Sequence, residues 1–265
     1  MSPAMAGQDA SPLICTPVTG LPLVREGDDL GSMILEALQL HNLELIQGDI
    51  LVVAQKVVSK AEGRKVLLDT VTPTRPALEL AEQTGKDPRV IELILQESAQ
   101  VIRTRPGLVI VEHKLGFICA NAGIDHSNVD PEELTREDWV LLLPEDPDAS
   151  AARLRKQLEA HSGISLGVLI IDSHGRAWRL GTVGTTIGLS GVPGVVDLRG
   201  TPDLFAQRLR ITEVGAADEL AAGASLLMGQ AGEGIPIVHV RGFPHPLREA
   251  GLQEILRPEE QDLFR

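Results

Sequence analysis

The chain has 265 residues, 43% of them hydrophobic and 23% charged, ordinary values for a globular protein. It carries 24 basic and 37 acidic side chains, a net charge of −13 that repels phosphate backbones and argues against nucleic-acid binding. No apolar run of about 18 residues is present, so a membrane partner is not expected.

Residues 1–15 are expected to form a flexible leader without the features of a secretory signal. Residues 16–265 are expected to form a single catalytic unit in one or two lobes. Cys15 and Cys119 lie far apart and outside any CxxC, which fits a reducing cytoplasm.

In chain order, residues 20–24 read as an apolar entry strand. Asp28-Asp29 caps a helix whose apolar positions Leu30, Met33, Ile34, Ala37 and Leu38 recur at helical spacing. Residues 50–54 are a buried-strand pattern, followed by the basic residues Lys56, Lys60 and Arg64, which are either partners for phosphates or a solvated basic turn. A helical region over 76–100 breaks near Gly85, and Asp87-Pro88 restarts it. Residues 108–111 form a short strand. Asp148 or Ser150 caps the helix that carries Leu154 and Leu158. The strand over 167–171 ends on Asp172, and a glycine-rich stretch follows over 181–200. A long helix is expected over 212–228, stopped by Gly229, then a strand over 235–240. The fold class is α+β with mixed sheets. A Rossmann sheet is disfavoured because no GxGxxG joins a strand to a helix.

There is no P-loop, HExxH or GxSxG. The chemistry left is carboxylates and amides in loops. Asp125 lies between Asn121 and Asn128, with Gly123 allowing close backbone approach. Hard cations such as Mg²⁺ or Mn²⁺ favour such oxygens, and an Asn/Asp/Ser turn closing a hairpin gives the same pattern. Asp172-Ser173 at a strand end is either a metal site or a cap. The glycines at 229, 232 and 234 offer either an anion nest or a helix stop.

Six segments in order carry a resemblance: GLPLVREGDDL (20–30), GDILVVAQKVVSKAEGR (48–64), NAGIDHSNVD (121–130), LLLPEDPDASAARLR (141–155), GVLIIDSHGRAWRLGTVGTTIGLSG (167–191) and DELAAGASLLMGQAGEGIPIVHVRG (218–242). The chain resembles the coenzyme F420-0:L-glutamate ligases, also called γ-glutamyl ligases, over roughly 16–243. The resemblance implies a family-specific fold, an intertwined homodimer, and GTP, L-glutamate and F420-0 as substrates. It implies nucleotide contacts at Leu21, Pro22, Leu23, Val24, Gln55, Lys56, Lys60 and Asn128. A phosphate-side loop would comprise Met228, Gly229, Gln230, Ala231, Gly232, Glu233, Gly234 and Ile235. Asp125 and Asp172 would ligate one divalent ion, Mg²⁺ or Mn²⁺, and Ser173 and Gln230 a second. The resemblance also admits a K⁺ ion. Asp125, Asp172 and Lys60 would be the catalytic residues. Gln230 stands where relatives can carry glutamate, and Ser173 where threonine is familiar. Two other readings of the same residues are a two-metal nucleotide phosphohydrolase and a non-catalytic nucleotide- or deazaflavin-binding module.

Overall fold

A computed structural model describes residues 12–129 and 139–262. Asp130, the last residue of the third matching segment, and residues 1–11 of the expected leader lie outside these.

The chain opens with β1 (Ile14–Val18) and α1 (Leu30–Leu40), followed by β2 (Ile50–Ala54), α2 (Gln55–Ala61) and β3 (Lys65–Leu67). Next come α3 (Arg75–Thr84), α4 (Pro88–Gln96), β4 (Ser98–Arg105), β5 (Leu108–His113), β6 (Ile118–Ala120) and β7 (Trp139–Leu141). The remainder is α5 (Pro147–Ser162), β8 (Gly167–Arg176), β9 (Arg179–Ser190), β10 (Val196–Asp197), β11 (Glu213–Val214), α6 (Ala216–Met228) and β12 (Ile237–Arg241).

The central sheet has the order β1-β12-β2-β8-β9. Only β2 and β8 run parallel in it, so the α+β expectation matches and the Rossmann arrangement is absent. Both faces of this sheet are covered, which is why its strands read as continuous apolar runs. Leu51 and Val53 of β2 and Val168 and Ile170 of β8 pack with α1, α2 and α5. The alternate residues, Ile50, Val52, Leu169 and Ile171, pack with α6. Gly188 admits the start of α5 against β9: a Cβ there would lie 2.5 Å from the Pro147 carbonyl carbon. A third core, beside the one on each face of the central sheet, joins α3 and α4 to the small sheet β4-β5-β6 through Ile91, Ile94, Val109 and Val111. Phe117 packs against all three cores.

Asp29 caps α1 as expected, accepting from the Ser32 amide. Gly85 ends α3 in the left-handed conformation, and Asp87 caps α4 with Pro88 in its first turn. Several expectations need correction. Ile14 and Cys15, placed in the leader, begin β1, because they pair with Arg241 and Val240. Residues 20–24 are not a strand. Residues 98–100 belong to β4, not to the preceding helix. Asp146, rather than Asp148 or Ser150, caps α5, leaving Pro147 where its missing N–H costs nothing. Lys56 and Lys60 lie on a helix, not in a turn. Strand β8 continues past Asp172 to Arg176 because β9 pairs with it throughout, and β9 absorbs half of the glycine-rich stretch. Helix α6 starts at Ala216 because Glu213 and Val214 pair with β10. Among the described residues no helix is long and apolar enough to cross a membrane.

Candidate active site

One end of the central sheet gathers the segments singled out in the sequence. Ala54 of β2 is in register with Ile171 of the parallel β8, so Gln55 and Asp172 stand level just past the carboxyl end of the parallel β2–β8 pairing. Such ends are favoured ligand positions in sheets with parallel strands. Strand β12 starts at the same end, where the Ala54 amide donates to Pro236 O at 2.8 Å. The loop that precedes β12, residues 229–236, therefore opens over the site. Val18 pairs with Ile237, so residues 19–24 leave the sheet at this end too.

The local sequence of α2 aims its first turn at Asp125. Ser59 Oγ donates to Gln55 Oε1 at 2.9 Å, fixing which way the buried Gln55 amide faces. Gln55 Nε2 then donates to Asp125 Oδ2 at 2.7 Å. Lys56 Nζ stands 3.2 Å from Asp125 Oδ1 and also donates to Ser127 Oγ at 3.2 Å. Asp125 is held from behind by two backbone bonds with Leu141, each 2.9 Å. The chain reaches Asp125 through three consecutive left-handed residues, Asn121, Ala122 and Gly123, with φ of 51°, 53° and 67°. That conformation is unfavourable for alanine and persists only where the surroundings impose it. Leu143 fills the space that a Cβ on Gly123 would need. The segment is thus a turn and part of the site at once.

The electrostatics are those of an under-neutralised acidic pair. Burial pushes the Asp125 carboxyl up; Lys56 works against this, and the nearby Asp172 charge reinforces it. A bound cation would relieve both the burial and the repulsion. Two hard carboxylates suit Mg²⁺ or Mn²⁺. Among the described residues no group of three His, Cys, Asp or Glu is poised for a metal. Any such ion would therefore draw its other ligands from phosphate and water, as Mg²⁺ commonly does.

Asn128, at φ 58°, donates through Nδ2 to Ala231 O at 3.0 Å, tying the Asp125 segment to the loop after α6. Gly229 ends α6 at φ 73°. The Ala231 amide donates to Glu233 Oε2 at 2.8 Å, and amides of this loop hold the Glu233 carboxyl below its ordinary range. The loop's donors already face an anion, as a nest would.

Gln55, Lys56, Asp125, Asn128, Asp172 and Ala231 are thus brought together. Met228 is buried under the loop, Gln230 and Gly232 are exposed on it, and Gly234 and Ile235 lead into β12. Lys60 lies one turn further along α2. Leu21 and Val24 pack into the core that α1, α2 and α5 form on the central sheet, Pro22 stands between them in sequence, and Leu23 is 66% exposed. Ser173 follows Asp172 in β8, so strand alternation turns its side chain to the opposite face. No hydrogen bond or ion pair among the described residues joins Ser173 or Gln230 to the two carboxylates.

Sequence reasoning missed His174, whose Nε2 is 3.1 Å from Asp172 Oδ2. The signal was available: Asp172 and His174 are two apart in a strand and so share a face. It also missed Ser127 beside Lys56. Cys119 lies near Asp172, but burial, with the Asp172 charge, pushes its thiol up to about 12. Such a thiol stays protonated and is no nucleophile at neutral pH.

The buried His113 is the neighbouring titratable group. Burial first, then the His174, Lys114 and Arg64 charges, push it down from 6.5 to about 4. Glu97, 4.0 Å away, is engaged by Arg64 at 2.7 Å. A histidine kept neutral in the fold contributes stability that is full above pH 6.5 and is lost as pH falls toward about 4. Urea unfolding from pH 7 to 4.5 should show this loss, on the order of 3 kcal/mol when complete. A His113→Gln variant should lack that component; an identical pH slope in both proteins would contradict the assignment.

The family model of the F420-0:gamma-glutamyl ligases matches residues 20–242. The coenzyme F420:L-glutamate ligase of Methanothermobacter thermautotrophicus is 45% identical over 250 residues, covering 94% of this chain and 97% of the relative. That of Methanopyrus kandleri is 46% identical, covering 91% of this chain and 93% of the relative. That of Archaeoglobus fulgidus is 43% identical, covering 94% and 95%. A mixed sheet with amide, lysine and carboxylates at one end is thus the scaffold of a ligase. The chain belongs to the F420-0:gamma-glutamyl ligase family.

Proposed function

We propose that this protein is a GTP-dependent ligase that joins L-glutamate to coenzyme F420-0 in F420 biosynthesis, through a γ-glutamyl-type amide linkage. The observation that carries the reading is the convergence of Gln55, Lys56, Asp125, Asn128 and Asp172 with the loop after α6 at one sheet end. The relatives that share this sequence are named for that reaction.

A carboxylate and an amine do not condense in water, so the carboxylate needs activation. GTP would transfer its γ-phosphoryl group to the terminal carboxylate of F420-0, releasing GDP. The glutamate amine would attack the acyl carbon of the resulting acyl phosphate, lose a proton and expel inorganic phosphate. Asp125 and Asp172 would hold a divalent ion, which supplies positive charge to the phosphates in line with their transfer. Lys56, released from Asp125 by that ion, would turn to a phosphate oxygen, and Lys60 would add positive charge one turn away. The loop amides around Ala231 would exchange Glu233 for phosphate. A second ion, on Ser173 and Gln230, would arrive with the nucleotide, whose phosphates provide most of its ligands. Positioning and electrostatics would supply the catalysis, with no covalent enzyme intermediate.

The β8–β9 hairpin ends in Trp178 and Leu180, 88% and 98% exposed. This apolar tip supports a homodimer in which each hairpin reaches the partner. The unpaired state of Cys15 and Cys119 supports a cytoplasmic setting.

Phosphate release separates this reading from its rivals. With Mn²⁺ and K⁺, release from GTP should require both F420-0 and glutamate. Release with neither acceptor would point to a phosphohydrolase, and tight GTP binding without any turnover to a binding module.

A further inference from the structure

His174 has surroundings that a solvent-facing strand residue does not need. Its Nε2 is 3.1 Å from Asp172 Oδ2, with the two side chains 12% and 13% exposed. The contact is close but not aligned as a hydrogen bond, and Nε2 is shut off from solvent with no other acceptor among the described residues. A small rotation of the Asp172 carboxylate would complete the bond. A carboxylate only accepts, so the Nε2 that faces it carries the hydrogen.

The ring itself is fixed from the other side. Phe117 meets it with centroids 5.2 Å apart at 48°, and Phe117 stacks on His113 at 5.1 Å and 10°. His113 belongs to β5 of the small sheet and His174 to β8 of the central sheet. The three rings therefore form a brace between the sheets. This matters because the two candidate ligands come from different parts of the fold. Asp172 is on β8, whereas Asp125 follows β6 of the small sheet. Their separation depends on how the sheets are held.

We propose that His174 is a positioning residue that, clamped by Phe117, fixes the Asp172 carboxylate in the orientation that meets a divalent ion together with Asp125. The inference rests on the metal reading of the site given above. Groups that orient metal ligands in this way typically contribute roughly 10- to 100-fold to metal affinity.

Mn²⁺ titration of the full-length protein, read by the loss of the free-ion paramagnetic resonance signal, tests this. His174→Phe keeps a ring against Phe117 but has no donor, and should weaken Mn²⁺ binding by roughly 10- to 100-fold. His174→Gln places an amide N–H near the Nε2 position and should stay within about threefold of the parent protein, a rescue that a merely structural role would not produce. Thermal unfolding shows whether each variant folds. If His174→Phe does not, His174→Asn, too short to bring a donor to that position, should show the same loss. Parent-like Mn²⁺ affinity in His174→Phe, or equal losses in the Phe and Gln variants, overturns the role of His174 while leaving the metal site standing, provided Asp172→Asn abolishes binding. A parent protein that binds no Mn²⁺ overturns the metal reading and the inference with it.

Discussion

Asp125→Ala should lower kcat/KM for glutamate addition by about 10³-fold or more while leaving the protein as stable as its parent to within about 1 kcal/mol. The two halves of this expectation have one cause. Asp125 is a carboxylate that the fold holds at a cost: burial and the Asp172 charge both push its carboxyl up, and only Lys56 and the Gln55 amide offset them. Removing it relieves that cost, so stability is not expected to collapse even though two hydrogen-bond partners are left behind. The same removal takes away the group on which Gln55 and Lys56 converge, and with it the anchor for charge on the transferring phosphoryl group. Groups that conflict with stability and are nevertheless present belong to sites of function more often than to the frame. Asp125→Asn, which keeps the hydrogen bond from Lys56 but not the charge, should lose nearly as much activity. Steady-state kinetics with a denaturation curve for each variant checks both halves. An Asp125→Ala enzyme with more than about a tenth of parental kcat/KM would sink the assignment.

Asp49→Ala should have the opposite signature, a loss of about 3 kcal/mol or more of folding stability. Asp49 lies at the far end of β2 from the site and is 1% exposed. It accepts from His239 Nε2 at 2.8 Å, Arg241 Nε at 2.9 Å and Nη2 at 2.7 Å, and the Ile46 amide at 2.9 Å. Removing the carboxylate strands the buried His239, whose Nδ1 already has no partner among the described residues, and leaves Arg241 only its bond to the Glu44 carbonyl. Arg241 is 37% exposed, so water recovers part of its loss and the effect falls at the lower end of the range for broken buried pairs. The pH dependence follows with its sign. Burial alone would raise the Asp49 carboxyl, but Arg241, His239 and the Ile46 amide hold it below its ordinary value of 3.8. This contribution is therefore present above pH 3.8 and is lost as pH falls through the lower folded value. Urea midpoints for parent and variant at pH 7 measure the effect; equal midpoints would contradict it.

Much of the local structure was legible because it follows from single residues. Asp29 before an apolar helical stripe, Gly85 and Asp87-Pro88 between two helices, and Gly229 after α6 each act within a few residues. Errors arose where pairing with a distant strand decided the outcome. Strand β8 runs on beyond Asp172 because β9 offers partners as far as Arg179, which no local pattern around Asp172 reveals. Residues 98–100 continue a helical pattern but pair with β5 instead. Residues 20–24 are apolar enough for a strand, but Leu21 and Val24 pack into the core on one face of the sheet rather than joining it. Asp146 outcompeted Asp148 as the α5 cap because proline at the next position suits the first helical residue.

For the site, the separate segments could be picked out, but not their meeting point. Read alone, residues 121–128 favour a turn over a ligand site, and the left-handed run through Asn121, Ala122 and Gly123 is that turn. What makes it part of a site is the parallel register of β2 with β8 and the start of β12 beside them, contacts between residues more than a hundred positions apart. Ser173 shows the converse: neighbours in sequence, it and Asp172 are sent to opposite faces by the strand they share.

Glutamate transfer to F420-0 can be read by mass spectrometry of F420-0 incubated with this protein, GTP, Mn²⁺ and L-glutamate. The expected product is heavier by one or more glutamyl residues, absent when GTP or glutamate is omitted and absent with Asp125→Ala. Unchanged F420-0 in the presence of folded protein and all the substrates would contradict it.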